Sequence, residues 1–358
     1  MGCFETERPA AIHGVERLVD PGALRCILGV EGDVRVEPMD TFGYSAARFD
    51  RVTTGATGPF IVKRVATADD WLSNRTKDRV GREAALMTSP AWDLLCESFR
   101  LPYRAVATDN GRYGLLMEDW SAWLLPDERA PIAADDETLI LDAMARLHAR
   151  FWESPELETF DWLHRPADFF YILGPRDHES GQVPGISSRQ LQGAVREGWA
   201  VARSLLGPET WNAITCPPQR FAESFAHLPC TLVHGDAKMA NFAILPDQQV
   251  GLFDWAFAGR TQGTCDLGWY LAVNASRLAR PQERVITQYR SFLEAHLGCP
   301  LDDGLWAELV EAGLLCGAMM LGWAKAAAVA AGREGAEKEW EVWARYLDAW
   351  ARRAGRMP

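Results

Sequence analysis

The stretch Leu232-Val-His-Gly-Asp-Ala-Lys-Met-Ala-Asn241, followed by Gly251-Leu-Phe-Asp-Trp255, decides the fold of this chain. The apolar residues Leu232 and Val233 precede His234-Gly-Asp236, which is predicted to lie in a loop. Asn241 comes five residues after Asp236, and Asp254 comes thirteen residues after Asn241, at the end of a second apolar run. Taken singly, each is an ordinary turn or strand-end residue. Their joint order, in a strand–loop–strand context, is what indicates a functional site.

The order and spacing of these residues resemble the catalytic and metal-binding loops of protein-kinase-like phosphotransferases. Phosphoryl transfer needs a metal to neutralise charge, donors that hold the phosphates, and an aligned acceptor hydroxyl. Asp236 is the candidate base, which would orient that hydroxyl and take its proton. Asn241 and Asp254 offer the oxygen ligands that Mg²⁺ prefers. Lys238 could neutralise the moving γ-phosphate; the alternative is a lysine solvated in the loop.

Two further polar residues are predicted to support these loops. His234, directly before Gly-Asp, is expected to brace the loop through hydrogen bonds rather than to take part in chemistry. Asp266 precedes an apolar helical run and is interpreted as its N-cap, where a carboxylate accepts exposed backbone N–H groups. The helix that follows Asp266 could also buttress the catalytic loop.

Four of these motifs together resemble the aminoglycoside phosphotransferase and choline-kinase-like superfamily, including its ecdysteroid-kinase-like branches. They are His234-Gly-Asp236, Asn241, Asp254-Trp255 and Asp266-Leu267. The resemblance covers most of residues 40–275 and is most specific in the catalytic core.

The resemblance implies how ATP would be held. Lys63, in Phe60-Ile-Val-Lys63, would bind the α- and β-phosphates, and Glu83 would pair with that lysine and fix its position. Glu118 and Trp120 belong to a segment similar to the hinge whose backbone meets the adenine. A phosphate-covering hairpin is expected near Met39–Ala46, with Gly43 and Ser45 as nucleotide contacts, although it lacks the GxGxxG pattern.

The pattern along the chain changes from strand-rich to helix-rich. Residues 33–65 alternate as strands do, and further strands are predicted near Tyr103–Thr108 and Tyr113–Met117. A helical stretch is predicted over roughly Asp69–Met87, and helices dominate after the hinge. With the resemblance, this order predicts an α+β, protein-kinase-like two-lobe fold with a small antiparallel-sheet lobe and a larger helical lobe. The predicted boundaries are 1–117 for the nucleotide-binding lobe, 118–123 for the hinge, and 124–358 for the helical lobe.

The length, net charge and cysteine content of the chain restrict the classes of partner and location that we expect. Its 358 residues are enough for two lobes with a substantial core. The net charge of −12 argues against nucleic-acid and anionic-membrane partners, because both need a basic surface. Eight cysteines without a CxxC pair predict a reduced, cytoplasmic protein. The most apolar segment, 312–331, is interrupted by Lys325 and predicts a buried helix rather than a membrane span.

The sequence therefore predicts Mg²⁺-dependent transfer of the ATP γ-phosphate to a hydroxyl of a small molecule. The predicted acceptor is one of several classes: a sugar, an amino sugar, an aminoglycoside, or a choline-like or steroid-like alcohol. A catalytically weak pseudokinase, or a nucleotide-binding regulatory protein, is the alternative. A protein kinase is disfavoured because Asp266 follows Asp254 by only twelve residues, which leaves little room for a peptide-docking segment. The sequence gives no prediction of the oligomeric state.

Two features of the helical lobe have alternative interpretations. Trp340, Trp343 and Trp350 lie on one face of a helix, as core residues do, or they form an aromatic wall that stacks on the acceptor. Residues 172–188 are rich in glycine, proline and charge, and form either a plain connector or a lid over the substrate.

Overall fold

The computed structural model describes residues 7–40, 46–55, 57–125, 130–176 and 189–356. These residues form two compact units. Unit 1 contains the described residues up to 125 together with Ala240–Phe257, and unit 2 contains the others. The sequence boundaries of the lobes stay a prediction. The predicted nucleotide contacts Gly43 and Ser45, and residues 177–188 of the predicted loop, lie outside the described residues.

The described residues contain runs of strands followed by runs of helices. The strands are β1 (Ala10–His13), β2 (Val34–Met39), β3 (Arg48–Thr54), β4 (Phe60–Ala66), β5 (Tyr103–Asp109), β6 (Arg112–Glu118), β7 (Thr231–Val233), β8 (Phe242–Ile244), β9 (Val250–Leu252) and β10 (Gly259–Thr261). The helices are α1 (Pro21–Leu28), α2 (Trp71–Arg75), α3 (Arg82–Thr88), α4 (Ala91–Ser98), α5 (Ala134–Arg150), α6 (Pro166–Phe169), α7 (Arg189–Leu205), α8 (Pro208–Ile214), α9 (Pro218–Ser224), α10 (Thr264–Val273), α11 (Gln282–Leu297), α12 (Asp303–Ala330) and α13 (Ala336–Ala354).

Unit 1 is built on a mixed sheet. In the described residues, six strands pair in the order β1-β5-β6-β4-β3-β2. All neighbouring pairs are antiparallel except β1 and β5, which run parallel. The sequence did not predict β1, because three of its four residues are exposed and give no apolar alternation. Apolar side chains from β2, β3, β4 and β5 pack with α1 on one side of this sheet.

The helical stretch predicted over roughly Asp69–Met87 is interrupted in the structure. The segment forms two helices, α2 and α3, separated by residues 76–81. The Asp78 carboxylate accepts the backbone N–H groups of Gly81, at 2.9 Å, and Arg82, at 2.7 Å. Gly81 has a φ of 77°, which is incompatible with a continuous helix. The local hydrogen bonds of Asp78 therefore start α3 as a separate helix.

Unit 2 is mainly helical, and α10 and α12 form its centre. Glycines allow the two helices to approach closely: a Cβ atom added at Gly268 would lie 1.8 Å from the carbonyl oxygen of Gly313. In the described part of the chain, α12 alone has the length and composition of a membrane span. Of its most apolar stretch, 61% is buried inside the protein, as in the core helix of a soluble protein.

The tryptophans of α13 belong to the core of unit 2. Trp340, Trp343 and Trp350 are 7%, 2% and 1% exposed. Trp350 stacks on Phe221 with ring centroids 4.3 Å apart, and its indole N–H donates to the carbonyl of Ala213 at 3.0 Å. These contacts favour the core interpretation of the α13 tryptophans over the aromatic-wall interpretation.

Candidate active site

A buried ion-pair network lies in unit 1, around Lys63 in the middle of β4. The Lys63 ammonium is 2.6 Å from Glu83 Oε2 and 2.6 Å from Asp254 Oδ1. Burial alone lowers the pKa of Lys63, but the charges of Asp254 and Glu83 outweigh burial and raise the pKa well above its ordinary value. The structure therefore brings together three residues that are far apart in sequence and keeps a full positive charge on the lysine.

Glu83 joins this network to the segment that carries Asp254. It lies in the first turn of α3 and is fully buried. While Oε2 accepts from Lys63, Oε1 accepts from the Tyr103 hydroxyl, at 2.8 Å, and from the Trp255 backbone N–H, at 3.3 Å. These bonds satisfy a carboxylate that would be costly to bury alone.

The β8–β9 hairpin brings Asn241 and Asp254 to one end of a two-stranded ladder. Phe242 pairs with Leu252 in this ladder, and the Phe253 N–H donates to the Asn241 carbonyl at 3.3 Å. Asn241 is buried, whereas the Asp254 side chain is 36% exposed. The two residues contribute an amide oxygen and a carboxylate, which are hard ligands suited to Mg²⁺.

A metal held by these two residues would not have an all-protein cage. In the described residues, no group of three or more His, Cys, Asp or Glu side chains is suited to holding a metal ion. Mg²⁺ commonly uses one or two carboxylates together with substrate phosphates and waters. The pair Asn241 and Asp254 therefore fits a magnesium site that a nucleotide would complete.

An apolar cavity of about 150 Å³ adjoins the Lys63 network in unit 1. Phe49, Ile61, Met117 and Phe253 contribute apolar walls, and the predicted hinge residues also line it. The cavity has apolar walls and the charged Lys63 at its edge. It therefore suits a ligand with a flat apolar part and an anionic part.

The predicted hinge residues Glu118 and Trp120 are held by each other and by unit 1. The Trp120 indole N–H donates to Glu118 at 3.0 Å, and Glu118 also pairs with Arg104. Trp120 is 4% exposed, and its ring fills the space over Gly251, where a Cβ atom would lie 2.4 Å away. Its side chain therefore mainly packs within unit 1.

Unit 2 positions Asp236 in the loop that follows β7. Its Oδ1 accepts the indole N–H of Trp269 at 2.9 Å, and its Oδ2 lies 2.7 Å from the ammonium of Lys238. Gly235 takes a φ of 80°, which a side chain rarely adopts, and the chain reverses directly before Asp236. His234 braces this turn, because its Nδ1 accepts the Asp236 backbone N–H at 3.2 Å.

Helix α10 supports the whole loop. Asp266 accepts the N–H groups of His234 and Gly235, each at 2.7 Å. Asn274, at the end of the helix, accepts the Met239 N–H at 2.9 Å. Gly263 is the N-cap residue of α10 and Asp266 is its third residue, so the interpretation of Asp266 as an N-cap was wrong. Its carboxylate instead accepts backbone hydrogen bonds from the loop that carries Asp236.

A second layer fixes Asp266 from behind. Fully buried His148 places Nε2 3.2 Å from Asp266, and its Nδ1 lies 2.6 Å from the hydroxyl of Tyr289. A Cβ atom at Gly263 would lie 2.8 Å from the imidazole, so the helix start leaves just enough room for this ring. The imidazole is thus held on both nitrogens, which fixes its orientation against the carboxylate.

Sequence reasoning missed Tyr103, Trp269 and Asn274. Tyr103 and Trp269 each contact a predicted site residue through one polar atom, and the Asn274 side chain contacts the loop around Asp236 through both its oxygen and its nitrogen. Tyr103 and Trp269 stand in apolar runs and have the appearance of core aromatics, and Asn274 follows a helix end. The only sequence signal for the two aromatic residues was that each carries one polar group, the hydroxyl of Tyr103 and the indole N–H of Trp269, within an apolar run.

Comparison with known proteins gives a family and a fold. A model of the phosphotransferase enzyme family matches residues 41–303, whereas no curated protein matches the chain. An ethanolamine kinase of Plasmodium vivax is 11% identical, covers 88% of this chain and 82% of its own, and has a TM-score of 0.50. This likeness and the family match confirm the predicted protein-kinase-like α+β fold.

Two other solved structures show lower TM-scores. A choline kinase of Streptococcus pneumoniae is 12% identical over 88% of this chain and 93% of its own, with a TM-score of 0.46. An aminoglycoside phosphotransferase of Streptomyces rimosus, solved with ADP and streptomycin, is 19% identical over 82% of this chain and 97% of its own, with a TM-score of 0.39.

Proposed function

Because this chain belongs to the phosphotransferase enzyme family, we propose that it transfers the γ-phosphate of ATP, with Mg²⁺, to a hydroxyl group of a small molecule. The observation that carries the proposal is the Lys63 ammonium, held by two carboxylates beside an apolar cavity. A permanently charged, immobilised cation is what a nucleotide phosphate needs.

The nucleotide would bind in unit 1. Lys63 would hold the α- and β-phosphates, and Glu83 would keep its ammonium in place. The apolar walls of the cavity would enclose the base, and the backbone near Glu118 and Trp120 would meet its polar edge. The Lys63–Asp254 contact supports this arrangement, since the same lysine would then lie beside both the phosphates and the metal.

Asn241 and Asp254 would hold Mg²⁺, which supplies charge neutralisation on the phosphates when it is bound. Asp236 would accept the proton of the acceptor hydroxyl. Hydrogen bonds from Trp269 to one oxygen and from Lys238 to the other help to fix the plane of this carboxylate. Lys238 would neutralise negative charge on the group in transfer.

The acceptor is a small molecule in this proposal. A panel of sugars, amino sugars, choline, ethanolamine, streptomycin and a sterol alcohol covers the candidate classes. Each cysteine in the described residues is a free thiol, which supports a reducing, cytoplasmic location for the enzyme.

Thermal unfolding with Mg·ATP tests the nucleotide site without knowledge of the acceptor. Nucleotide at about 100 times its Kd should stabilise the protein by about 2.7 kcal/mol, a rise in Tm of a few degrees. Asp254→Ala should abolish the part of this rise that depends on Mg²⁺, because it removes the only carboxylate proposed as a metal ligand. The measurement is a melting curve with ATP, in Mg²⁺ and in EDTA.

Asp247→Ala is the matched control for this experiment. Asp247 lies in the exposed turn of the same β8–β9 hairpin and accepts one backbone N–H, at 3.2 Å. This variant should keep the Mg²⁺-dependent rise. No rise for the well-folded wild type at millimolar ATP would contradict the proposal. A metal-dependent rise without phosphate transfer to any acceptor would favour the pseudokinase alternative.

Lys238→Ala should lower turnover by about 100-fold, the effect of removing one group that stabilises developing charge, and should change the Kd of ATP far less. The Lys238 side chain is 37% exposed, and its ammonium contacts the proposed base, Asp236. Steady-state kinetics with the best acceptor of the panel, beside a nucleotide titration, separate the two effects. Lys338→Ala, on the exposed face of α13, is the control, and unchanged turnover in Lys238→Ala would show that this lysine is only solvated.

A further inference from the structure

Three successive backbone groups in unit 1, at residues 254–256, are each held by a buried side chain. The Asp254 N–H donates to the Tyr103 hydroxyl at 3.2 Å, and the Trp255 N–H donates to Glu83 at 3.3 Å. The Ala256 carbonyl accepts from Arg82 at 3.1 Å. Residues of β5 and α3 therefore clamp the segment that carries the proposed metal ligand.

The clamp coincides with backbone strain at Asp254. Its φ is 66°, in the left-handed region that non-glycine residues seldom adopt. Such a conformation persists only where the surroundings hold it in place, and it is often found at functional sites. The direction of the Asp254 carboxylate depends on this φ, so the groups that hold the backbone also set where the carboxylate points.

The hydroxyl of Tyr103 has two directional bonds. Tyr103 is 1% exposed; burial first, and then the charge of Glu83, raises the pKa of its hydroxyl well above the ordinary value. The group is therefore neutral and carries one hydrogen. Because the Glu83 carboxylate only accepts, that hydrogen is donated to Glu83, and a lone pair of the hydroxyl accepts from Asp254.

We propose that Tyr103 and Arg82 are positioning residues that hold Asp254 in the conformation needed to bind Mg²⁺. This inference rests on the proposed function, since it assumes a metal-bound nucleotide. Tyr103 links the two halves of the nucleotide site, because its hydroxyl contacts both the carboxylate that fixes Lys63 and the backbone of Asp254. Neither Tyr103 nor Arg82 is assigned contact with the reacting atoms.

Tyr103→Phe removes one oxygen and keeps the ring, so it tests the bond with little change in packing. The measurement is calorimetric binding of a non-hydrolysable ATP analogue in Mg²⁺ and in EDTA. Without metal, the Kd should stay within about twofold of wild type, because Lys63 and Glu83 keep their contact. Mg²⁺ should tighten binding less than in the wild type. The ratio of the Kd in EDTA to the Kd in Mg²⁺ should fall by about 10-fold, as expected when a group that orients a metal ligand is lost.

Tyr270→Phe is the matched control. Tyr270 is a fully buried tyrosine of unit 2 whose hydroxyl has no hydrogen-bond partner in the described part of the chain. This variant should bind the nucleotide as the wild type does, with and without metal. A melting curve of each apo variant confirms folding before titration.

Arg82→Lys tests the other end of the clamp if Tyr103→Phe does not fold. It keeps the positive charge but shortens the side chain that reaches Ala256, and it should also weaken the Mg²⁺-dependent tightening. Unchanged tightening in the folded variants would overturn the positioning role and leave the proposed function intact. Equal weakening with and without metal would also overturn it. Absence of nucleotide binding by the wild type would overturn the proposed function itself.

Discussion

Asp236→Asn should reduce phosphoryl transfer by about 10²–10⁴-fold, the usual contribution of a general base, while the Kd of Mg·ATP stays close to that of wild type. An amide does not take up the proton of the acceptor hydroxyl. In addition, one oxygen of Asp236 faces the indole N–H of Trp269 and the other faces the Lys238 ammonium. Whichever way the new amide is turned, its NH₂ group meets a donor.

The measurement is ADP formation with the best acceptor of the panel, together with calorimetric titration of the nucleotide. Asp348→Asn is the control, because Asp348 in the same unit accepts one side-chain bond, from Thr210 at 2.6 Å, and has no proposed role. Equal loss of turnover and nucleotide affinity in Asp236→Asn would refute the role of Asp236 as the base. Full turnover would do so as well.

Most of the site residues that the sequence predicted stand in short motifs along the chain. Asp236, Lys238 and Asn241 fall within six residues, and Asp254 follows a recognisable apolar run. Lys63 and Glu83 were predicted through their resemblance to a strand and a helix of known order along the chain. In such cases the order of the residues along the chain is enough for a prediction from sequence.

The residues that were missed act across long sequence separations. Tyr103 contacts the Asp254 backbone across 151 residues, and Trp269 reaches Asp236 across 33. No local pattern encodes such a contact, because it depends on how strands and helices pack. The break between α2 and α3 was missed for the opposite reason: the side chain of Asp78 competes locally with a helix that the apolar periodicity favours.

Gly268→Ala should destabilise unit 2 more than any other single-methyl change considered for this protein. The added Cβ atom would lie 1.8 Å from the carbonyl oxygen of Gly313 and 2.4 Å from its carbonyl carbon. Both are backbone atoms, so no side-chain rotation relieves the overlap, and α10 has to move away from α12. Overpacking typically costs about 1–3 kcal/mol and sometimes more, and we expect a cost at or above the upper end.

Other close contacts between α10 and α12 prevent the two helices from shifting easily to accommodate the added methyl group. A Cβ atom at Gly313 would lie 2.1 Å from the Thr264 carbonyl oxygen, and one at Gly317 would lie 2.4 Å from that of Gly268. Movement of α10 would also displace Asp266 and Trp269, which hold the loop around Asp236. The variant should therefore lose turnover at temperatures where it is still folded.

Circular dichroism melting curves of Gly268→Ala and Gly193→Ala, measured side by side, test whether steric overlap causes the expected destabilisation. Gly193 is inside α7, where an added Cβ atom meets nothing within 4 Å. There, alanine should stabilise the helix by about 0.5–1 kcal/mol, because glycine loses more backbone entropy on folding. Gly268→Ala should lower Tm by roughly 6 °C or more at about 2–4 °C per kcal/mol. The opposite signs expected for one substitution at two helical glycines isolate the steric contact between α10 and α12, and a Gly268→Ala protein that melts with the wild type would disprove that contact.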